Sequence, residues 1–496
     1  MLFQGFAASL ELQNLFAAFV GVTLGTIAGV LPGIGISGTI ALLLPISFGM
    51  DTLTALIMFS GIYYGAMYGG STTSILVNVP GEGASVVTCL EGHQMAKKGR
   101  AGAALAVAAI GSFVAGTLGV VGITFFAPPL ANAALAFGPP EYFSISLLGL
   151  VVLTNLSGKS PLRAFIMMLV GLMIGTVGID PMTAINRFTF GSTQLAKGLD
   201  FIIIVMGLFG MGEVIATICE RQTDIKVEKV KFRDLYPTIT EIKRSIMPIF
   251  RGGFIGFFMG LIPGPSATIS TFVSYALEKK ISKHPEEWGH GAIEGVAGPE
   301  SANNAASSSQ MIPLLSLGIP FTSSAALLLS GFMIHGIQPG PMLVSSQPVL
   351  FWGLIASMYV GNVMCLILNL PLVGVFASLL RVPLNLLMPV VAVITFTGAY
   401  VLNYSLFDLG VLFVFGLLGY LFQKSGFEPA PLAIGAFLGP QLEQGLMQAM
   451  IICEGSLWNM MTRPLAGAML WLTTLLVVGV LVKTLIKYMN SRRGLS

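Results

Sequence analysis

The chain has 496 residues, 54% of them hydrophobic and only 9% charged, with a formal net charge of +3. Soluble domains carry about 25% charged residues, so this composition excludes a water-soluble globular protein, and the near-neutral balance excludes an electrostatic nucleic-acid footprint. The four cysteines (Cys89, Cys219, Cys365, Cys453) sit far apart in or beside apolar segments and read as small core hydrophobes rather than disulfide or metal ligands.

The N-terminus has no basic region and carries Glu11 before its first long apolar run, so a cleaved signal peptide is not expected. Apolar runs of roughly 17 to 25 residues are read as membrane spans. They fall near 13–30, 36–48, 52–68, 101–127, 141–157, 160–178 and 200–219. A second series lies near 247–262, 266–278, 346–370, 384–403, 406–423, 430–452 and 465–489. Several are short or interrupted, so the expectation is about 11 to 14 membrane segments in an all-α polytopic protein. Residues 69–96 and 301–335 are rich in Gly, Ser, Thr, Asn and Pro yet lie among apolar spans. Polar, irregular backbone at membrane depth is tolerated only inside protein or along a cavity, so each reads as a re-entrant hairpin.

The first span opens a glycine and proline ladder that recurs 231 positions later: Gly21, Gly25, Gly29, Pro32 and Gly33 match Gly252, Gly256, Gly260, Pro263 and Gly264. Glycine at every fourth position lets helices approach closely, and Pro-Gly breaks a helix. Downstream, Ser160 and Gly171 align with Ser405 and Gly416, and Gly178, Asp180 and Pro181 with Gly426, Glu428 and Pro429. The chain is therefore read as a first membrane repeat (1–219), a charged linker (220–246), a second repeat (247–464) and a C-terminal helix with its tail (465–496).

Basic residues set the orientation of the halves. Lys97, Lys98, Arg100, Lys159 and Arg163 mark first-half loops whose second-half counterparts have no Lys or Arg, while Lys279, Lys280, Lys283, Arg381 and Lys424 mark the converse. By the positive-inside rule, equivalent loops lie on opposite faces and the repeats are inverted. The same rule places the charged linker and the C-terminus, with Lys483, Lys487, Arg492 and Arg493, in the cytoplasm.

Inverted repeats with a broken helix in each half point to a secondary transporter with its site near the bilayer midplane. The candidate substrate residues are Pro32, Gly33 and Gly35 at the first break, and Gly70, Ser71, Thr72, Thr73 and Asn78 in the first hairpin. Pro263, Gly264 and Ser266 hold the second break, and Asn303, Asn304, Ser307 and Ser308 the second hairpin. Neither hairpin contains Lys or Arg, but a helix N-terminus holds a carboxylate with unpaired N–H groups and a partial positive charge. Ser, Thr and Asn oxygens suit Na⁺ equally, so Asn303, Asn304, Ser71, Thr72, Glu82 and Glu300 are the candidates for a coupling ion, Na⁺ or H⁺. His93 and His335 each follow a hairpin and read as loop or cap residues, with proton coupling the alternative.

Enzymatic readings are weaker. Gly35-Ile36-Ser37-Gly38 fits the short G-x-S-G of rhomboid-type intramembrane proteases, but the glycines are already explained by the helix break. No phosphate loop or HExxH zinc motif is present, so no cofactor and no ATP-driven transport are expected.

Across nearly its whole length the chain resembles the large membrane subunit of the tripartite tricarboxylate transporters, the TctA-type family. The resemblance rests on GxxxGxxPGIG, on YYGAMYGGSTTSILVNVPGE and on GPESANNAASSSQMIPLLSLGIP. It implies an inner-membrane secondary transporter that works with a small TctB-type membrane subunit and a periplasmic TctC-type solute-binding protein, importing tricarboxylates or related organic acids on a cation gradient. It also implies that Pro32–Gly35, Gly69–Asn78 and Asn303–Ser309 form the substrate and cation site. A self-sufficient carboxylate transporter or channel is the alternative.

Overall fold

A computed structural model describes residues 1–31, 35–156, 160–180, 183–219, 236–379 and 384–492. The first half contains α1 (Leu2–Ser9), α2 (Leu12–Val30), α3 (Ile36–Leu43), α4 (Thr52–Val77), α5 (Val86–Lys97) and α6 (Ala101–Ala134). It continues through α7 (Pro139–Leu156), α8 (Pro161–Gly175), the short antiparallel pair β1 (Gly178–Ile179) and β2 (Asn186–Arg187), α9 (Thr193–Ala196), α10 (Phe201–Val205) and α11 (Gly212–Cys219). The second half comprises α12 (Ile239–Gly260), α13 (Ser266–Ile281), α14 (Glu294–Ser309), α15 (Met311–Leu317), α16 (Ser323–Ile334), α17 (Leu343–Ser346) and α18 (Pro348–Asn369). It ends with α19 (Val373–Leu379), α20 (Leu384–Asn403), α21 (Leu406–Lys424), α22 (Ala430–Ile452), α23 (Leu457–Met461) and α24 (Pro464–Arg492). Among the described residues, five helical stretches are long and apolar enough to cross a membrane alone, and shorter apolar helices fill the rest. The protein is an all-α polytopic membrane protein.

The ladder glycines set the helix contacts. Gly21, Gly25 and Gly29 of α2 face the backbone carbonyls of Met58, Ile62 and Ala66, while Gly61, Gly65 and Gly69 of α4 face α2 in return. In the second half, Gly252, Gly256 and Gly260 of α12 lie against the carbonyls of Gly298, Ala302 and Ala306 in α14. Backbone meets backbone on these faces, which only small residues permit.

The registers of these contacts give directions. Residue numbers rise together between α2 and α4, and between α4 and α18, where Leu53 meets Gly353 and the Tyr68 hydroxyl donates to Asn362 Oδ1 at 2.6 Å. They also rise together between α12 and α14, and between α6 and α14, where Gly111 meets Ser301 and Gly119 meets Ser308. Between α6 and α18 they run opposite: Asn362 Nδ2 donates to Phe113 O (2.9 Å) and Thr117 Oγ1 (2.8 Å), while Tyr359 pairs with Thr124. Helices α2, α4 and α18 therefore run one way and α6, α12 and α14 the other. Each equivalent pair (α2/α12, α4/α14, α6/α18) is antiparallel, as inverted repeats require.

The polar hairpins differ in detail from the expected irregular backbone. Gly69 to Val77 is the end of α4, and Asn303 to Ser309 the end of α14; every residue from Leu53 to Leu76 and from Gly295 to Ser309 is buried. The helix survives because its hydroxyls bond inward: Ser74 donates to Gly70 O (3.0 Å), Ser307 to Asn303 O (2.8 Å) and Thr73 to Val30 O (2.7 Å). The irregular tips are shorter, spanning Asn78–Glu82 and Gly318–Thr322. Asn78 and Gly318 take left-handed conformations (φ 58° and 71°) that end α4 and α15.

Residues 220–235 of the expected linker lie outside the described residues, as do Lys159 and Arg381. Helix α12 starts at Ile239 behind a Thr238/Glu241 capping box, so Glu241, Lys243, Arg244 and Arg251 are helical. Arg244 bridges Glu287 and Glu294 (2.6 Å each), and Arg251 holds Glu278 at 2.6 Å. The Arg244 guanidinium beside Glu287 keeps that carboxyl below the usual carboxylate range. Buried Glu91 of α5 accepts from the N–H groups of Gly289, Gly291 and Ala292 and from the Tyr275 hydroxyl, tying the first hairpin to the loop before α14.

Candidate functional site

Four helix starts converge on one cavity of about 360 Å³. Gly35 to Gly38 begin α3, Pro265 to Thr268 begin α13, Gly81 to Ala84 lead through a 3-10 turn into α5, and Thr322 to Ser324 begin α16. Two follow the helix breaks and two follow the hairpin tips. At the breaks, Gly35 (φ 63°) and Gly264 (φ 122°) occupy backbone conformations that favour glycine. Gly264 N donates to Phe321 O (3.2 Å), joining the second break to the second tip. Thr322 donates to Gln310 Oε1 (2.9 Å) while its hydroxyl oxygen caps Ala325 N.

Tyr63, Met67 and Phe209 form the apolar wall, and Glu82 and Glu213 bring two carboxylates. The cavity's described lining contains no Lys or Arg. Each helix start contributes about half a positive charge through its unpaired N–H groups, so the chamber suits an anion with several carboxylates. Glu82 is held by Asn303, whose Nδ2 donates to its Oε1 at 2.8 Å, and sits over Gly70, where a Cβ would come within 2.8 Å of the Glu82 side chain.

The expected residues divide by location. Gly35, Ser266 and Glu82 line the cavity, and Gly264 and Asn303 brace it. Pro32 and Gly33 lie outside the described residues. Gly70 and Thr73 pack against the first tip and α2, Asn78 caps α4, and Pro263 belongs to the turn before Gly264. Ser307 bonds within α14, and Ser308 donates to Gly116 O in α6 (3.3 Å). Ser71, Thr72, Asn304 and Glu300 form a second polar cluster behind α4: Ser71 donates to Glu300 Oε2 at 2.5 Å, Thr88 donates to Oε1, and Asn304 Nδ2 donates to Ser112 Oγ at 2.7 Å. His93 bonds Ile75 O and His335 faces Ser47; neither lines the cavity.

Glu213 was not among the expected residues. It follows a π-helical turn, Met206–Met211, which shifts the helix register and brings Phe209 and Glu213 onto the cavity. Its signal in the sequence is a lone acid within an apolar run, which marks a functional candidate at membrane depth. A larger cavity of about 620 Å³ lies beside the second hairpin, lined by Tyr142, Gly318, Met333, Phe437 and Gln441 among others. It touches one hairpin and neither break, so the smaller, doubly built cavity is the stronger candidate.

Comparison with known proteins gives the family. Residues 15–434 match the family model described as the tripartite tricarboxylate transporter TctA family. An Agrobacterium vitis protein described as an uncharacterised 52.8 kDa protein in the TAR-I ttuC′ 3′ region is 49% identical over 466 residues, 94% of this chain and 93% of its own length. A second A. vitis protein, from the TAR-II ttuC′ 3′ region, is 47% identical over 223 residues, 45% of this chain and 92% of its own length. No solved structure matches the chain. This protein belongs to the tripartite tricarboxylate transporter TctA family, a transporter family rather than an enzyme family, and is a membrane component of such a system.

Proposed function

We propose that this chain is the large transmembrane subunit of a binding-protein-dependent importer of tricarboxylates or related organic acids. It resides in the inner membrane with its C-terminus in the cytoplasm, and a TctC-type periplasmic binding protein and a small TctB-type subunit complete the system. The observation that carries this reading is the convergence of four helix N-termini on one cavity free of basic side chains in its described lining. Such a chamber binds carboxylates through backbone N–H groups, which rearrange readily when helix starts from the two repeats move apart in alternating access.

Import needs a driving ion. Moving a trianion inward against about 100 mV costs roughly 7 kcal/mol at about 2.3 kcal/mol per charge. Co-transport of Na⁺ or H⁺ offsets this, and the acids Glu82, Glu213 and Glu300 in and behind the cavity give such cations negative partners.

Reconstitution into proteoliposomes tests the proposal. Labelled tricarboxylate uptake is expected only when the chain, the small subunit and the loaded binding protein are all present under a Na⁺ or pH gradient. Equal uptake by the chain alone would establish a self-sufficient transporter, and no carboxylate uptake under any gradient would remove the import reading.

A further inference from the structure

Behind the central cavity, helices α4, α6 and α18 enclose a void of about 10 Å³, its polar lining supplied by Tyr68, Ser71, Thr72, Ser112 and Asn369. That volume is about the size that holds one water or one bare ion and nothing larger. One amide in this lining, Asn369, and one bonded to the lining's Ser112, Asn304, are fixed with their oxygens left over. Asn369 Nδ2 is used by Thr26 Oγ1 (3.2 Å) and Cys365 O (3.0 Å), and Asn304 Nδ2 by Ser112 Oγ (2.7 Å) and Glu300 O (3.1 Å). Both Oδ1 atoms are buried without a donor. Orphaned buried carbonyl oxygens are costly in a protein and are the atoms a hard cation collects.

The charge next to the void points the same way. Glu300 is 1% exposed and, among the described residues, its side chain accepts hydrogen bonds from the hydroxyls of Ser71 and Thr88. Other acids around α14 are satisfied differently: Glu278 by Arg251, Glu294 by Arg244, and Glu91 by three backbone N–H groups and Tyr275. Among the described residues no basic side chain pairs with Glu300. A buried carboxylate without a counter-charge is expensive. A water in the void would donate to the Asn369 oxygen and a proton would neutralise Glu300; a monovalent cation serves both groups at once.

We propose that the void between α4, α6 and α18 is a Na⁺ site, with Ser71, Thr72, Ser112 and Asn369 supplying oxygens, Asn304 holding Ser112 in place, and Glu300, one hydroxyl behind Ser71, supplying the charge. This rests on the reading of the chain as a cation-coupled importer and names the ion and its place. The site is separate from the central cavity, and it joins the two repeats: Ser71, Thr72 and Ser112 come from the first, Asn304, Glu300 and Asn369 from the second. Its occupation therefore bears on how the first hairpin docks against α14.

The test is binding of radioactive Na⁺ to the purified chain, in detergent and without organic acid, with K⁺ replacing Na⁺ to hold ionic strength. Wild type is expected to bind saturably. Thr72→Val, which keeps the shape, and Asn369→Leu are each expected to raise the half-saturating concentration about tenfold or more, the scale of one contact to a charged group, and Glu300→Gln to abolish binding. Thr72→Val decides if Asn369→Leu fails to fold. Absence of saturable binding in wild type, or unchanged affinity in folded Thr72→Val and Glu300→Gln, overturns the site. Carboxylate uptake by the assembled system on a pH gradient without Na⁺ also overturns it while leaving cation-coupled import standing. Saturable Na⁺ binding, lost in Glu300→Gln, without carboxylate uptake under any gradient would support the site and remove the import reading instead.

Discussion

Gly256→Ala is expected to leave little folded protein in the membrane. A Cβ on Gly256 would drive into the carbonyl oxygen of Ala302 and lie 2.9 Å from that residue's Cα and carbonyl carbon. Those atoms are helix backbone, which cannot turn aside as a flexible side chain can. Helices α12 and α14 would have to part along the whole ladder, because Gly252 and Gly260 make the same kind of contact on either side. The cost is about 3 kcal/mol or more, at the upper end of core overpacking. Gly410→Ala is the control: Gly410 is an exposed position of α21 with nothing within 4 Å of its added methyl, and alanine there gains up to about 1 kcal/mol of helix propensity. Yield of monodisperse protein and thermal midpoint in detergent separate the two; similar melting of both variants would show that the ladder does not set the helix spacing.

Asn303→Ala is expected to weaken carboxylate transport by about ten- to a hundredfold in apparent affinity. The change removes the amide that donates to Glu82 Oε1 and leaves that carboxyl without its described partner at the cavity edge. Losing a hydrogen bond to a charged group costs about 1.5–3 kcal/mol, which is the stated range at 1.4 kcal/mol per decade. Glu82→Gln in the Asn303→Ala background should restore part of the loss, since the charge that needed the amide is gone, and the double-mutant cycle then gives a non-zero coupling. Strict additivity of the two changes in uptake kinetics would show that the pair acts through separate effects.

The ladder was readable from the chain because backbone contact imposes a strict residue type: only glycine fits where Gly25 meets Ile62 or Gly256 meets Ala302. Inversion was readable because basic residues report which side a loop faces, and the antiparallel pairs α4/α14 and α6/α18 agree with it. The convergence of both breaks and both tips on one place was expected from repeat symmetry, and Gly35, Glu82 and Ser266 line it.

Helix phase was not readable. Ser71 and Thr72 line the second void and not the cavity that Tyr63 and Met67 of the same helix reach; α4 is buried on all sides, so composition cannot say which neighbour a polar side chain meets. The helical character of the polar stretches was hidden for a related reason. Whether Ser74 or Ser307 bonds back to its own helix or breaks it depends on the packing around it. Glu213 escaped the sequence reading because its place depends on a π turn that leaves no clear mark in the residues.

Helices α8 and α22 impose a delay on biosynthesis. Gly171 and Gly175 of α8 meet the carbonyls of Leu432 and Ala436 in α22, and Gly435 returns the contact at Met168. These partners lie about 260 residues apart along the chain. At about 5–20 residues per second of synthesis, α8 waits roughly 13 to 50 seconds in the bilayer before α22 is made. Throughout that interval its glycine face lacks the partner it has in the fold, and the translating ribosome sets the pace at which the fold can close.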